Sequence, residues 1–160
     1  MGASPTYQGL KTFTFGDSAE LADRLAALVV AGVKTGTCSA AAHGPDAELG
    51  ERQICLNSAG TPVCEIETVA MQTLPFSAVT SDMAALEGEG DLSYRYWRDA
   101  HEDYFRREGT WSPDMDVIFE TFLLTRILDD GFAATAQEAL KAERREAAAN
   151  GYTDLGGADV

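Results

Sequence analysis

DSAELADRLAALVVAGVKTGT, residues 17–37, carries a helix, its stop and a polar loop in one run. Leu21, Leu25, Leu28 and Val29 recur at helical spacing, while Glu20, Asp23 and Arg24 take the other face. Asp17 and Glu20 form a D-x-x-E pattern of the capping-box kind, with Ser18 as the competing cap. Gly32 supplies the stop, because glycine enters the left-handed backbone that ends a helix at little cost. The spacing predicts a helix over 18–31. Beyond it stand Lys34, Thr35 and Thr37, in a Gly-x-Lys-x-x-Thr arrangement that begins at Gly32. A cation placed where a helix gives way to a loop can face a cleft. It can also simply complement the negative end of the helix dipole.

Outward from this run the periodicity changes. Residues 34–40 are rich in threonine, serine and glycine and suit a loop entering a short strand, and 41–50 read as a surface loop. Gln53–Leu56 and Val63–Val69 are β-like, and the turn signal Asn57-Ser58-Ala59-Gly60 joins them into a hairpin. In the second strand Cys64, Ile66 and Thr68 share one face, and Glu65 and Glu67 share the other, exposed one. A short helix is predicted around 80–86, then an acidic, glycine-broken loop, Glu87-Gly88-Glu89-Gly90-Asp91. Ser93 caps a helix running to about Arg107, with Trp97, His101, Tyr104 and Phe105 on one stripe. Val117–Leu124 reads as a buried strand, and Asp129-Asp130-Gly131 as a hinge before a helix over 135–149. Residues 1–12 read as an irregular segment and the last ten residues as a disordered tail. Irregular alternation of short strands and helices, with no G-x-G-x-x-G after a strand, indicates an α+β domain rather than a doubly wound sheet.

A length of 160 residues fits one domain with a proper core. No apolar run approaches the roughly 18 residues needed to span a bilayer, so no membrane partner is expected. The start, MGASPTYQGLK, has neither the basic end nor the apolar stretch of a secretory signal. Gly2 superficially fits a myristoylation pattern, but no basic patch lies beside it. Cys38, Cys55 and Cys64 make no C-x-x-C pair and are odd in number, which suits reduced thiols in a cytoplasmic protein. His43 and His101 lie at no zinc-ligand spacing from them, so no metal and no cofactor is expected. The net charge of −14 opposes long-range attraction to a nucleic-acid backbone. Extended duplex is therefore disfavoured as a partner, and a small or single-stranded ligand is favoured.

Phe15-Gly16-Asp17, Ala22-Asp23, Gly32-x-Lys34-x-x-Thr37, Ile66-Glu67-Thr68, Glu87-Gly88-Glu89-Gly90-Asp91, and Tyr96-Trp97-Arg98 with His101 and Phe105 occur in this order. Together they resemble a bacterial subgroup of the ASCH family, of the PUA-like superfamily. The resemblance implies a small mixed β-barrel with flanking helices over 13–126, preceded by segment 1–12. Residues 127–160 then form a C-terminal helical extension and tail. It also implies recognition of RNA, a nucleotide or a modified nucleoside in a cleft built around the Gly-x-Lys-x-x-Thr loop. Some similar proteins are amidohydrolases that deacylate N4-acetylcytidine, and others are ribonucleases. Carried over, the catalytic set is Lys34, Thr37 and Glu89, with Glu87 competing for the carboxylate role.

The same residues have plainer readings. Lys34 is a nucleophile or base if burial lowers its pKa, and a charged ligand for phosphate or carbonyl if not. Thr37 suits orienting a carbonyl or water, and is equally a strand residue; Thr35 and Ser39 are weaker candidates of the same kind. Glu87, Glu89 and Asp91 could raise one another's pKa or merely form a solvated loop. Gly32 shapes the loop, Glu67 lies in a family-like stretch, and Arg98 sits off the aromatic stripe, free to meet a phosphate or the acidic loop. The stripe itself is read as core rather than as a base-stacking surface. The leading expectation is a cleft for a nucleoside, nucleotide or short single-stranded RNA, with amide hydrolysis on N4-acylated cytidine as its chemistry. The alternatives are a non-catalytic binding module and a metal-independent ribonuclease; the oligomeric state is left open, with a homodimer contact of the C-terminal helix as one option.

Overall fold

A computed structural model describes residues 6–154. In chain order the strands are β1 (Thr6–Tyr7), β2 (Leu10–Phe13), β3 (Gly36–Ala40), β4 (Arg52–Leu56), β5 (Pro62–Pro75) and β6 (Asp116–Ile127). The helices are α1 (Ala19–Val30), α2 (Ser81–Leu86), α3 (Tyr94–Glu108) and α4 (Asp130–Ala149). The strands form one mixed sheet in the order β1-β2-β4-β5-β6-β3, with only the β2–β4 pair parallel. The chain is thus α+β, and its sheet is open, with β1 and β3 at the two edges rather than paired into a closed barrel.

Sequence and structure agree where a local signal is strong. Ser18, not Asp17, caps α1, accepting from the Leu21 N–H at 3.1 Å. Asp17 instead pairs with Arg107 at 2.9 Å. Thr80 and Ser93 cap α2 and α3 by the same device. Two cores flank the sheet. One joins Leu25, Leu28 and Val29 of α1 to Cys55, Cys64, Ile66 and Phe122, with Phe132, Ala136 and Leu140 of α4 on top. The other holds Trp97 and Phe105 of α3 with Phe76, Ala40 and Val117. The aromatic stripe is therefore mostly core, as its helical spacing suggested.

Four expectations are corrected. Segment 1–12 is not irregular throughout: residues 10–13 form β2, pairing Thr12 with Ile54 and Phe13 with Cys55. Glu65 is not exposed. Cys64 and Ile66 keep to the core face as the alternation requires, and Glu65, on the opposite face, is covered by Arg126 at 2.8 Å and Thr125 at 2.6 Å, beside a bulge whose extra residue is Thr125 of β6. Asp129 is no hinge but the cap of α4, accepting from the Phe132 N–H at 3.0 Å. In the expected tail, Tyr152 donates to Asp99 at 2.7 Å, and the Asp154 N–H donates to the buried Asp91 at 2.8 Å. The remaining tail positions, 155–160, and the Gly2 pattern lie outside the described residues.

Candidate functional site

The end of α1 aims Lys34. With Gly32 at φ +85°, the Val33 and Lys34 N–H groups both turn back to the Leu28 carbonyl at 3.1 Å. The Thr35 N–H then donates to Leu86 O at the end of α2, and Thr35 O accepts from the Phe122 N–H. The loop is fixed at both ends, and the Lys34 side chain is only 1% exposed. Its ammonium spends all three protons: on Gly36 O at 2.9 Å, Glu89 Oε2 at 2.9 Å and Glu87 Oε1 at 3.2 Å. Phe15 lies beneath it, with the ring centroid 5.4 Å away.

The two carboxylates have opposite surroundings. Glu87 accepts from Lys34, from Trp97 Nε1–H at 2.6 Å and from His101 Nε2 at 3.2 Å. Because His101 Nδ1 faces the Trp97 carbonyl at 2.8 Å, it must carry a proton there, and Nε2–H toward Glu87 makes the ring an imidazolium. Burial opposes ionisation of Glu87, but the His101 and Lys34 cations overcome it and hold the carboxyl well below its ordinary range. Burial pushes Glu89 the other way, and the Glu87 charge adds to that rise despite Lys34. Burial works against the Lys34 cation too, yet Glu89 and Glu87 raise its pKa above the ordinary value. Lys34 is therefore an ammonium, and the neutral nucleophile or base among the sequence expectations is not what this site holds.

The same linkage has a pH signature. Glu87, depressed on folding, contributes stability above its ordinary 4.5 that is lost as pH falls through the folded value. His101, raised on folding against the penalty of burial, contributes stability below 6.5 that is lost as pH rises through its folded value. Thermal melts across pH are expected to peak between these limits, and His101→Gln is expected to remove that pair's part of the alkaline decline.

Glycine alternates with acid in Glu87-Gly88-Glu89-Gly90-Asp91 for a steric reason. Gly88 has φ +71°, and a Cβ there would stand 2.6 Å from the Val33 carbonyl oxygen. A Cβ on Gly90 would run into the Tyr96 ring. Only glycine lets the acidic loop pass this close to the lysine loop. The loop is then clamped from α4. Arg144 donates to Gly88 O at 2.8 Å and Gly90 O at 2.7 Å, and Glu143 accepts from the Gly90 N–H at 2.8 Å. Glu143 also holds Arg24 of α1 at 2.7 Å.

Lys34, Glu87, Glu89 and His101 line one cavity of about 750 Å³, room for a nucleoside-sized ligand. Of the sequence candidates, Lys34, Glu87 and Glu89 are brought into contact, and Thr37 and Ser39 line the same cavity. The others do not line it. Gly32 is the exposed stop of α1, Thr35 ties the loop to α2, and Glu67 is a half-buried rung opposite Arg52. Arg98 is exposed and pairs with Asp99 at 3.1 Å, so it meets neither the acidic loop nor the cavity. Sequence reasoning missed His101 as a site residue, because its stripe also reads as core. It missed Glu120, which the strand pattern hid, and the clamp on α4. The Cys38 thiol also faces the cavity, but burial and the Glu87 charge push it well above its ordinary value. It is no thiolate nucleophile.

Atoms of Glu87, Glu89 and His101 lie within 4.8 Å of one another, close enough to share a metal ion. The Lys34 ammonium, however, already contacts both carboxylates, and Trp97 takes the second oxygen of Glu87. The donor set is thus satisfied by protein cations and fits a divalent ion poorly. The ionisable groups lining the cavity are seven carboxyls (Asp46, Glu87, Glu89, Asp103, Glu108, Glu120, Glu143), of which Glu120 is raised to about 7, against Lys11, Arg24, Lys34, Arg107 and the His101 imidazolium. It is not a local basic cleft. Among the described residues no helix is long and apolar enough to cross a membrane.

Comparison with known proteins agrees with this architecture. An ASCH domain from Lactobacillus crispatus is similar in structure, with a TM-score of 0.67 and 30% identity over 74% of this chain and 80% of its own. A protein from Enterococcus faecalis gives a TM-score of 0.66 and 28% identity over 75% and 78%. No curated protein matches. The family model described as the ASCH domain matches residues 11–126, leaving α4 beyond it. The chain therefore belongs to the ASCH domain family.

Proposed function

We propose that this ASCH domain binds a nucleoside-type ligand in its cavity and hydrolyses an amide on the base, as on an N4-acylated cytidine. The observation that carries the proposal is one buried ammonium shared by two carboxyls whose pKa values are driven apart. Such a split assigns roles. Glu87, saturated by three donors, anchors Lys34 and His101. Glu89 has Lys34 as its partner and borders the cavity, so it is the proton carrier.

In the reaction the Glu89 carboxylate takes a proton from water as the water oxygen bonds to the acyl carbon. The carbonyl oxygen becomes an oxyanion, met by the Thr37 hydroxyl and by the Lys34 N–H that Glu89 releases as it takes up the proton. Glu89 then gives its proton to the departing base nitrogen as the C–N bond breaks, releasing a carboxylic acid and the amine. A lining with no excess of basic groups, on a chain of net charge −14, supports a small neutral ligand over an RNA strand, which makes ribonuclease action the weaker reading. A cytoplasmic setting belongs to the same reading, since the three cysteines are free.

Hydrolysis of N4-acetylcytidine by the purified chain tests this. Glu89→Gln is expected to lower kcat by about 10²-fold. The wild-type rate is expected to rise with pH through the raised Glu89 pKa, since the carboxylate form is needed. Turnover that survives Glu89→Gln, or nucleoside binding with no turnover at all, defeats the hydrolytic assignment. The latter result leaves a binding module.

A further inference from the structure

Glu120 is a buried acid that the chemistry above does not use. It sits on β6 directly across from Thr37 of β3, and Ser39 follows two residues on, so all three side chains share one face of the sheet. All three line the cavity. Glu120 is 3% exposed, yet its Oε2 has no hydrogen-bond partner, and Ser39 Oγ is likewise buried and unpartnered. Among the described residues these are the buried side-chain polar atoms left without a partner. Buried polar atoms are normally satisfied, so two orphans in one cavity wall are aimed at something that enters it.

We propose that Glu120 and Ser39 form a base-reading subsite selecting an amidine-type edge, a ring nitrogen acceptor next to an amine N–H. The proposal rests on the nucleoside reading above. In it the Glu120 carboxyl donates Oε2–H to the ring nitrogen, and Ser39 Oγ accepts from the neighbouring amine. A lactam edge, with N–H in place of the bare ring nitrogen, sets donor against donor. The surroundings favour the required proton below neutral pH. Burial, with Asp46 and Glu51 adding to it, raises Glu120 to about 7, against the opposing Lys11 and the Ala47 N–H. His43, on the turn after β3, also borders the cavity and is 3.7 Å from Glu108. Gln53 is engaged with the Asp46 carbonyl.

Calorimetric titration of the full chain with cytidine, adenosine, uridine and inosine tests the subsite. Cytidine and adenosine are expected to bind more tightly than uridine and inosine at pH 6. Their Kd is expected to rise about 30-fold by pH 8.5, following the protonated fraction of a group titrating near 7. Glu120→Gln keeps an N–H donor and is expected to retain binding while flattening this pH dependence. Glu120→Leu is expected to lose the discrimination while keeping cooperative unfolding. Equal affinity for the two edges in the wild type, or discrimination unchanged in Glu120→Leu, overturns the subsite. If Lys34-dependent amide hydrolysis is present in that case, the catalytic reading stands alone. If no nucleoside binds, both fall together.

Discussion

Lys34→Met is expected to abolish measurable hydrolysis of an N4-acylated cytidine, a loss of about 10³-fold or more, of the order seen when a preorganised oxyanion donor is removed. The same substitution leaves Glu87 and Glu89 buried without their shared cation. Removing one partner of a buried ion pair costs about 3–5 kcal/mol, so a clear fall in Tm should accompany the loss. The two effects separate by a second change. Lys34→Met combined with Glu89→Gln removes one charge of each sign and should recover part of the stability while activity stays absent. Thermal melts and initial rates on both variants check this. Full activity in Lys34→Met removes the basis of the mechanism, and an inactive variant with unchanged stability contradicts the buried-pair account.

Arg144→Met is expected to be nearly as damaging although Arg144 lies on α4, beyond the matched family domain. The guanidinium satisfies the Gly88 and Gly90 carbonyls at 2.8 and 2.7 Å, both buried contacts. Hydrogen bonds to a charged group contribute about 1.5–3 kcal/mol each, and without them the acidic loop loses its fixed path. A displacement of about 1 Å in a catalytic group costs about 10²-fold, so kcat should fall by about that factor. Hydrogen exchange of residues 87–91 should rise in step. Arg145→Met, on the exposed face of the same helix, is the control and should change neither. Unaltered exchange and kcat in Arg144→Met would falsify the view that α4 holds the site together.

The parts of the fold that were legible share one property: their signal is local. The apolar spacing of Leu21, Leu25 and Leu28, the cap Ser93 and the turn at Asn57 act within a few residues, and each appears where its pattern placed it. Residues 10–13 and 70–75 carried no such signal. They are strands because β4 and β6 offer them hydrogen-bonding edges, which composition does not reveal. Glu65 was misassigned for a related reason, since alternation gives the face a residue takes but not that Thr125, Arg126 and Arg52 close over it there.

For the site the division is similar. Sequence brought Lys34, Thr37, Glu87 and Glu89 forward as a set, and the alternating glycines of 87–91 marked a backbone under unusual constraint. It could not say which glutamate is driven up and which down, because that depends on His101 and Trp97 reaching Glu87 from a different helix. It could not show that Arg98 faces away, or that Glu120 lies across the sheet from Thr37. By itself the sequence determined the family, the helices, the hairpin and the identity of the lysine loop, all properties of neighbours along the chain. The charge on Lys34, the split between two acids and the clamp from α4 were decided only by the tertiary structure. These are electrostatic and packing effects set by distance through space, and folding brings together groups up to 119 residues apart, as in the Arg24–Glu143 pair behind the acidic loop.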